Sequence, residues 1–373
     1  MARDGDKAMG ELVRLAYESG EAKPVLGHQA AVNRILTGAE FIGRHVPPVW
    51  LIDGIVQRGR LYACTSLTGH GKTAVWLFNA CMVQAGRPIG HLDTFQGNAL
   101  ILAGENPADL EARMIGMAKT YKIPLNQLPY VLPGSFPMTE DQADTLKEAI
   151  AAIGVPFALI VGDTASSFFP GDDENSNVQA GEYARTLRTF TTECAGNPAV
   201  VVLSHPVKGA ARGNLLPRGG GAFLNELDAN LCNWSPSLGE VTELHWCQKI
   251  RGPDFAALGY RLRQVQTGLT DEKGRPEMTI IAEPMSEEAV ADHGKQTLAN
   301  EDVVLRALRD QPGRSLAQIA RDAGWVGDDD QPEKWRVQRA IASLLDDKLI
   351  HRLRKGAPWK LTEKGELILG KGP

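Results

Sequence analysis

The chain has 373 residues, 43% hydrophobic and 23% charged, with 40 Lys/Arg against 45 Asp/Glu and a formal net charge of −5. That composition supplies core material for about two to three domains and excludes a uniformly basic nucleic-acid coat. No run of about 18 apolar residues occurs, so no membrane span is expected.

Three zones follow one another. Residues 1–45 form a polar N-terminal segment, with Met9, Leu12, Val13 and Ala16 at helical spacing. The polar start MARDGDKAMGEL lacks the apolar stretch of a secretory signal. Residues 46–284 alternate short apolar runs with helical patterns, which predicts a mostly parallel sheet covered by helices. The predicted strands are Arg60–Thr65, Asn98–Ala103, Phe157–Val161, Ala199–Ser204, Val241–Gln248 and Met278–Ala282. Helices are predicted over Lys72–Gln84, Asp109–Thr120, Glu140–Ala152 and Asn177–Ala195. Residues 285–299 are polar with little apolar pattern and are expected to be a linker. Residues 300–373 are expected to form a small helical domain. Five Cys at wide spacing, with no Cys-x-x-Cys, point to buried free thiols in a reducing cytoplasm.

Ser66-Leu-Thr68-Gly69-His70-Gly71-Lys72-Thr73-Ala74 follows the predicted strand and opens a predicted helix. Strand, loop, helix is the context of a phosphate-binding loop. Glycines let backbone N–H groups face a phosphate, and the helix N-terminus adds its dipole. Lys72 is placed for the β/γ-phosphates of ATP and the Thr73 hydroxyl for Mg²⁺. The pattern Gly-x-x-x-x-Gly-Lys-Ser/Thr would have Gly where this chain has Ser66, which bears on nucleotide affinity.

Two apolar runs end in carboxylates. Ala99–Ala103 leads to Gly104-Glu105, where Glu105 can polarise an attacking water. Phe157–Val161 leads to Gly162-Asp163, a Walker B pattern whose Asp holds Mg²⁺. A third run, Ala199–Leu203, ends in Ser204-His205. Adjacent strand residues point to opposite faces, so these two do not form a hydrolase pair; a polar residue here can sense a γ-phosphate.

With these residues in hand, the chain resembles RecA-like ATPases of the hexameric replicative helicase group, of the plasmid RepA-like and DnaB type. The likeness covers about residues 40–285. It is carried by Arg44–Gly54, Leu102–Pro107, Asp163-Thr164 with Gly171–Ser176, and Ser204–Ala210. The family usually has His-His where this chain has Ser204-His205. The resemblance implies that Glu105 is the catalytic glutamate, Asp163 the Walker B aspartate and His205 the sensor. It implies that the loop 206–222, with Lys208, Arg212 and Arg218, faces single-stranded DNA in a central channel. It implies further that Lys249 and Arg251 in the turn Lys-Ile-Arg-Gly-Pro reach ATP on a neighbouring subunit of a homo-oligomer, a hexamer being favoured. Arg218 is a rival for that role.

The last zone reads as a winged helix: Glu301–Asp310, then Leu316–Ala323 capped by Ser315, then Glu333–Asp347, then a hairpin, Leu349–Arg354 and Pro358–Thr362. Lys334–Lys364 holds nine Lys/Arg against three Asp/Glu, a net of +6. Residues 333–360 are therefore a candidate surface for duplex DNA, or for a protein partner. The expected function is an ATP-dependent DNA motor. The alternatives are a non-unwinding ATPase that regulates or loads a replication or repair complex and, less favoured, a strand-exchange recombinase.

Overall fold

The computed structural model describes residues 36–210, 214–237, 241–327, 329–354 and 356–370. The expected helix around Met9–Ala16 lies outside them. Contacts divide the chain into two compact units, Met1–Val49 and Trp50–Pro373. In the first, a short helix α1 (Gly38–Ile42) starts at Thr37, whose side chain forms a reciprocal capping box with Glu40.

The second unit is built on a nine-stranded sheet in the order β5 (Tyr130–Pro133), β4 (Asn98–Ala103), β6 (Phe157–Asp163), β7 (Ala199–Ser204), β3 (Leu61–Ser66), β8 (Ala229–Ser237), β9 (Val241–Ile250), β10 (Leu258–Thr270), β11 (Pro276–Pro284). β1 (Trp50–Ile52) and β2 (Val56–Gln57) form a separate pair. From β5 to β8 the pairings are parallel, and from β8 to β11 antiparallel. The α/β fold with a mostly parallel sheet is as expected, consistent with a RecA-like phosphate-loop core. β8 and β10 were not among the predicted strands. β8 reads Ala-Asn-Leu-Cys-Asn-Trp-Ser-Pro-Ser, and its Asn and Pro have low strand propensity. Buried partners offset this: Asn230 donates to Leu215 O at 2.7 Å and accepts from Thr65 Oγ1 at 2.7 Å.

One face of the sheet carries α2 (Lys72–Ala85) and α3 (Pro107–Tyr121); the other carries α4 (Glu140–Ala152), α6 (Asn177–Glu193) and α7 (Gly220–Glu226). A short helix α5 (Ala165–Phe168) follows β6. α2 is buried along nearly its whole length, from Ala74 to Val83. It packs on β4 and β6 and is covered by α3 and β11, which explains a helix apolar all round rather than on one stripe.

The segment 285–299, expected as a linker, is helical. Ser286 caps α8 (Glu287–Asp310), a 24-residue helix continuous with the C-terminal zone. Its first half is solvated and lacks an apolar stripe, which hid it. α9 (Leu316–Asp322), α10 (Lys334–Asp346), a hairpin of β12 (Ile350–His351) and β13 (Lys360–Leu361), and α11 (Glu363–Gly370) complete a separate apolar core around Val304, Leu308, Ile319, Val337 and Leu344. α10 also packs against β8. No helix among the described residues is long and apolar enough to cross a membrane. Cys64, Cys81, Cys194, Cys232 and Cys247 are all buried free thiols.

At the start of β3 a buried carboxylate ties the sheet together. Asp228 accepts from Leu61 N at 2.9 Å and is faced by Arg188 at 3.1 Å, Arg251 at 3.3 Å and Arg60 at 3.5 Å. Its side chain is 1% exposed. Asp228→Ala would leave three guanidinium groups and a strand N–H without their common acceptor. It should cost about 3–5 kcal/mol in urea unfolding, the range for breaking a buried pair, with Asp228→Asn costing less.

Candidate nucleotide site

β3 runs through the middle of the sheet and ends at the buried Ser66. The loop that follows turns through Gly69 and Gly71, at φ +83° and +84°, a region that favours glycine. α2 begins at Lys72, and no side chain caps it. Its first-turn N–H groups are thus oriented for an anion, with the helix dipole behind them. Thr68 and Gly69 are exposed, while Lys72 and Ala74 are buried.

Two strands grip this loop from the side. The Ser235 N–H of β8 donates to His70 Nδ1 at 2.9 Å. The His70 ring meets Trp234 edge-on, centroids 5.1 Å apart. From β10, Leu262 lies so close that a Cβ on Gly71 would fall 2.8 Å from Leu262 Cδ1. Trp234, Ser235 and Leu262 were not singled out in the sequence. They sit on β8 and β10, which local pattern does not mark, so nothing in the sequence pointed to them.

Lys72, Thr73, Asp163, Glu105 and His205 converge beside the loop. Lys72 Nζ lies 3.5 Å from His205 Nε2. Burial, reinforced by Lys72, holds His205 below the ordinary imidazole range, so it stands neutral beside the ammonium. Asp163 is buried, and burial pushes its pKa up to about 6; nearby Glu105 adds to this, while a hydrogen bond from Thr73 and the charge of Lys72 oppose it. Among the described residues Asp163 Oδ1 has no hydrogen-bond partner. A buried carboxylate with an unused oxygen beside a threonine hydroxyl fits a hard divalent cation such as Mg²⁺.

Glu105 follows β4, which does not adjoin the phosphate-loop strand: β6 and β7 lie between β4 and β3. Glu105 reaches the site another way. Gly104 N and Glu105 N both donate to Asp163 O, at 2.7 and 3.1 Å, which draws the end of β4 onto the end of β6. Its side chain is exposed and bears electrostatically on both Asp163 and His205.

The loop 206–222, expected to face single-stranded DNA, is anchored at both ends of its described part. Arg218 N donates to His205 O and Val207 N to Leu216 O, each at 3.0 Å. Leu215 is fully buried against Cys232 and Cys247. Gly220–Ala222 already belong to α7, for which Gly219 is the N-cap. Residues 211–213, with Arg212, lie outside the described residues. Lys208 is exposed, and Arg218 is paired with Glu174 at 3.5 Å.

Lys249 and Arg251 are not brought to this site. Lys249 lies near the end of β9 and Arg251 just past it, where Ile250 pairs with Ala229, and Ala229 pairs with Tyr62 at the start of β3. The phosphate loop leaves the other end of that strand, about 17 Å away at about 3.3 Å per residue. Arg251 bonds to Asp228, and Lys249 Nζ donates to the carbonyls of Leu224 and Asn225 at 2.9 and 2.6 Å. Neither can serve ATP held by its own subunit.

Residues 29–211 match a protein-family model described as AAA domain. That match supports a P-loop ATPase in this part of the chain. No curated protein matches the chain. The match spans the phosphate loop, Glu105, Asp163 and His205, and ends within the loop that follows them. Nucleotide binding is the property such a domain implies.

The Asp163 shift has a measurable consequence in the nucleotide-free protein. A carboxyl whose folded pKa is raised stabilises the fold below its unfolded value near 4 and loses that contribution as pH rises through about 6. Above pH 7 the buried charge is a full penalty. Asp163→Asn should therefore raise the melting temperature at pH 8 by about 2–5 °C. The gain should vanish as pH falls toward 4, and Mg²⁺-dependent nucleotide binding should be lost.

Proposed function

We propose that this chain is an ATP-hydrolysing DNA motor, a ring-forming replicative helicase of RepA-like type with ATP at its subunit interfaces. The observation that carries the ATPase part is Lys72, Thr73, Asp163 and Glu105 gathered around a bare helix N-terminus. The phosphate-loop amides and Lys72 would hold the β- and γ-phosphates of ATP. Thr73 and Asp163 would hold Mg²⁺, which when bound neutralises charge on the phosphate oxygens. Glu105, exposed at the mouth of the site, would orient a water and accept its proton. His205, neutral and in contact with Lys72, would meet the γ-phosphate from the far side.

The DNA part draws on the segment that leaves His205. In sequence it carries Lys208, Arg212 and Arg218, cations suited to a phosphate backbone. In the C-terminal zone, which we take as a winged helix, Arg339 stacks on the exposed Trp335 at 4.4 Å and Arg352 on Trp359 at 4.3 Å. Guanidinium groups ordered on indoles lose less freedom when they meet a phosphate.

The non-unwinding regulator remains a second reading because α10 packs on β8. A helix used partly as an internal contact suits a module that switches partner binding as well as one that reads a groove.

Two experiments test this reading. Lys72→Ala should abolish ATP turnover, and Glu105→Gln should keep ATP binding while turnover falls by a factor of order 10² or more. If Arg251 acts in trans, Arg251→Ala should also be inactive, yet a mixture with Lys72→Ala should recover turnover, because one kind of mixed interface is complete. Asp228 keeps Arg60 and Arg188 in that variant, so the fold should survive. Mixed oligomers without rescue, verified by native mass, would remove Arg251 from the site and leave Arg218 as the candidate.

For DNA, replacing Lys334, Arg339, Arg352 and Arg354 together by Ala should weaken duplex binding. The log–log salt slope should fall by about 0.9 for each phosphate that the variant no longer neutralises. An unchanged slope would assign this surface to a protein partner.

A further inference from the structure

We infer that His70 is a positioning residue: its ring, through the acceptor at Nδ1, fixes the phosphate loop in the form that receives nucleotide. This rests on the nucleotide-binding reading above and adds to it a residue acting by its side chain rather than its amide. His70 stands between Gly69 and Gly71, both at positive φ. Glycines on either side leave a wide choice of backbone conformations, so the loop needs an outside hold. The ring provides it. It is buried, 6% exposed, on β8 rather than over the anion position. Its Nδ1 accepts from Ser235 N at 2.9 Å and its plane stands at 64° to Trp234.

Acceptance at Nδ1 places the proton on Nε2 and requires a neutral ring. The surroundings favour that form, since burial and then Lys72 push the pKa down to about 4. A positive ring at the centre of the loop would repel Lys72 and surrender the bond from Ser235. A neutral one keeps that bond, while the His70 amide donates within the loop to Leu67 O at 3.3 Å. Leu262 closes the loop on the other side at Gly71, and Leu67 packs on the cluster around Leu215, so the ring of His70 is the loop's polar tie to β8.

The test separates the two ring nitrogens. Asn places a carbonyl oxygen near the position of Nδ1, whereas Gln carries it out toward the position of Nε2. In the full-length protein, a fluorescent ATP analogue should bind His70→Asn within about threefold of wild type. His70→Gln and His70→Ala should weaken binding about tenfold, equivalent to about 1.4 kcal/mol. Without nucleotide, the melting temperature should follow the same order, Asn above Gln, because the bond to Ser235 exists in the free protein. Equal behaviour of the Asn and Gln variants, in affinity or in melting, overturns the role assigned to His70. Wild-type protein that fails to bind the analogue overturns the nucleotide reading itself, whatever the melting temperatures show.

Discussion

A loop that binds an anion through its amides must leave those amides unpaired while it waits. Its own hydrogen bonds, such as His70 N to Leu67 O at 3.3 Å, hold it only in part, and the rest of what fixes it comes from outside. The rest of this structure can be understood as meeting that demand. β3 delivers the loop from the centre of a nine-stranded sheet. α2 carries it away as a helix buried almost throughout. His70 is bonded to β8, and Leu262 of β10 presses on Gly71. The antiparallel half of the sheet thus supports a site whose reactive groups all lie on the parallel half or on α2.

Charge is arranged by the same logic at the two ends of the sheet. At the loop end, Asp163 is buried with an oxygen unpartnered among the described residues, a costly state that a cation would relieve. At the other end, Asp228 is equally buried but answered by three arginines and a backbone N–H. The first arrangement stores a preference for a ligand. The second is already satisfied and serves the fold, with Arg251 among its partners.

The parts legible in the sequence were those whose signal is local. The phosphate loop sits within nine residues, and the runs leading to Glu105, Asp163 and Ser204 are apolar strands buried on both faces. Asn98–Ala103, Ala199–Ser204 and Glu140–Ala152 have the predicted bounds. What was hidden depends on distant partners. β8 is a strand because Asn230 finds Leu215 and Thr65, residues far away in the chain. The helical start of α8 is solvated and so shows no periodicity. The anchored loop after β7 reads as irregular because its hold is Leu215 inserted beneath β8 and β9. The neighbourhood of Glu105 with Asp163 comes from strand order, which no local pattern encodes.

The position of β8 has one more consequence. It pairs with the phosphate-loop strand, bonds the loop's histidine, and bears α10. Occupants of the two surfaces are thus separated by a single strand. If nucleotide shifts β8 at all, the free energy with which it alters binding at α10 must equal the free energy with which an occupant of α10 alters nucleotide affinity. Such thermodynamic reciprocity makes this strand the shortest route by which a basic C-terminal module could report what the ATPase holds.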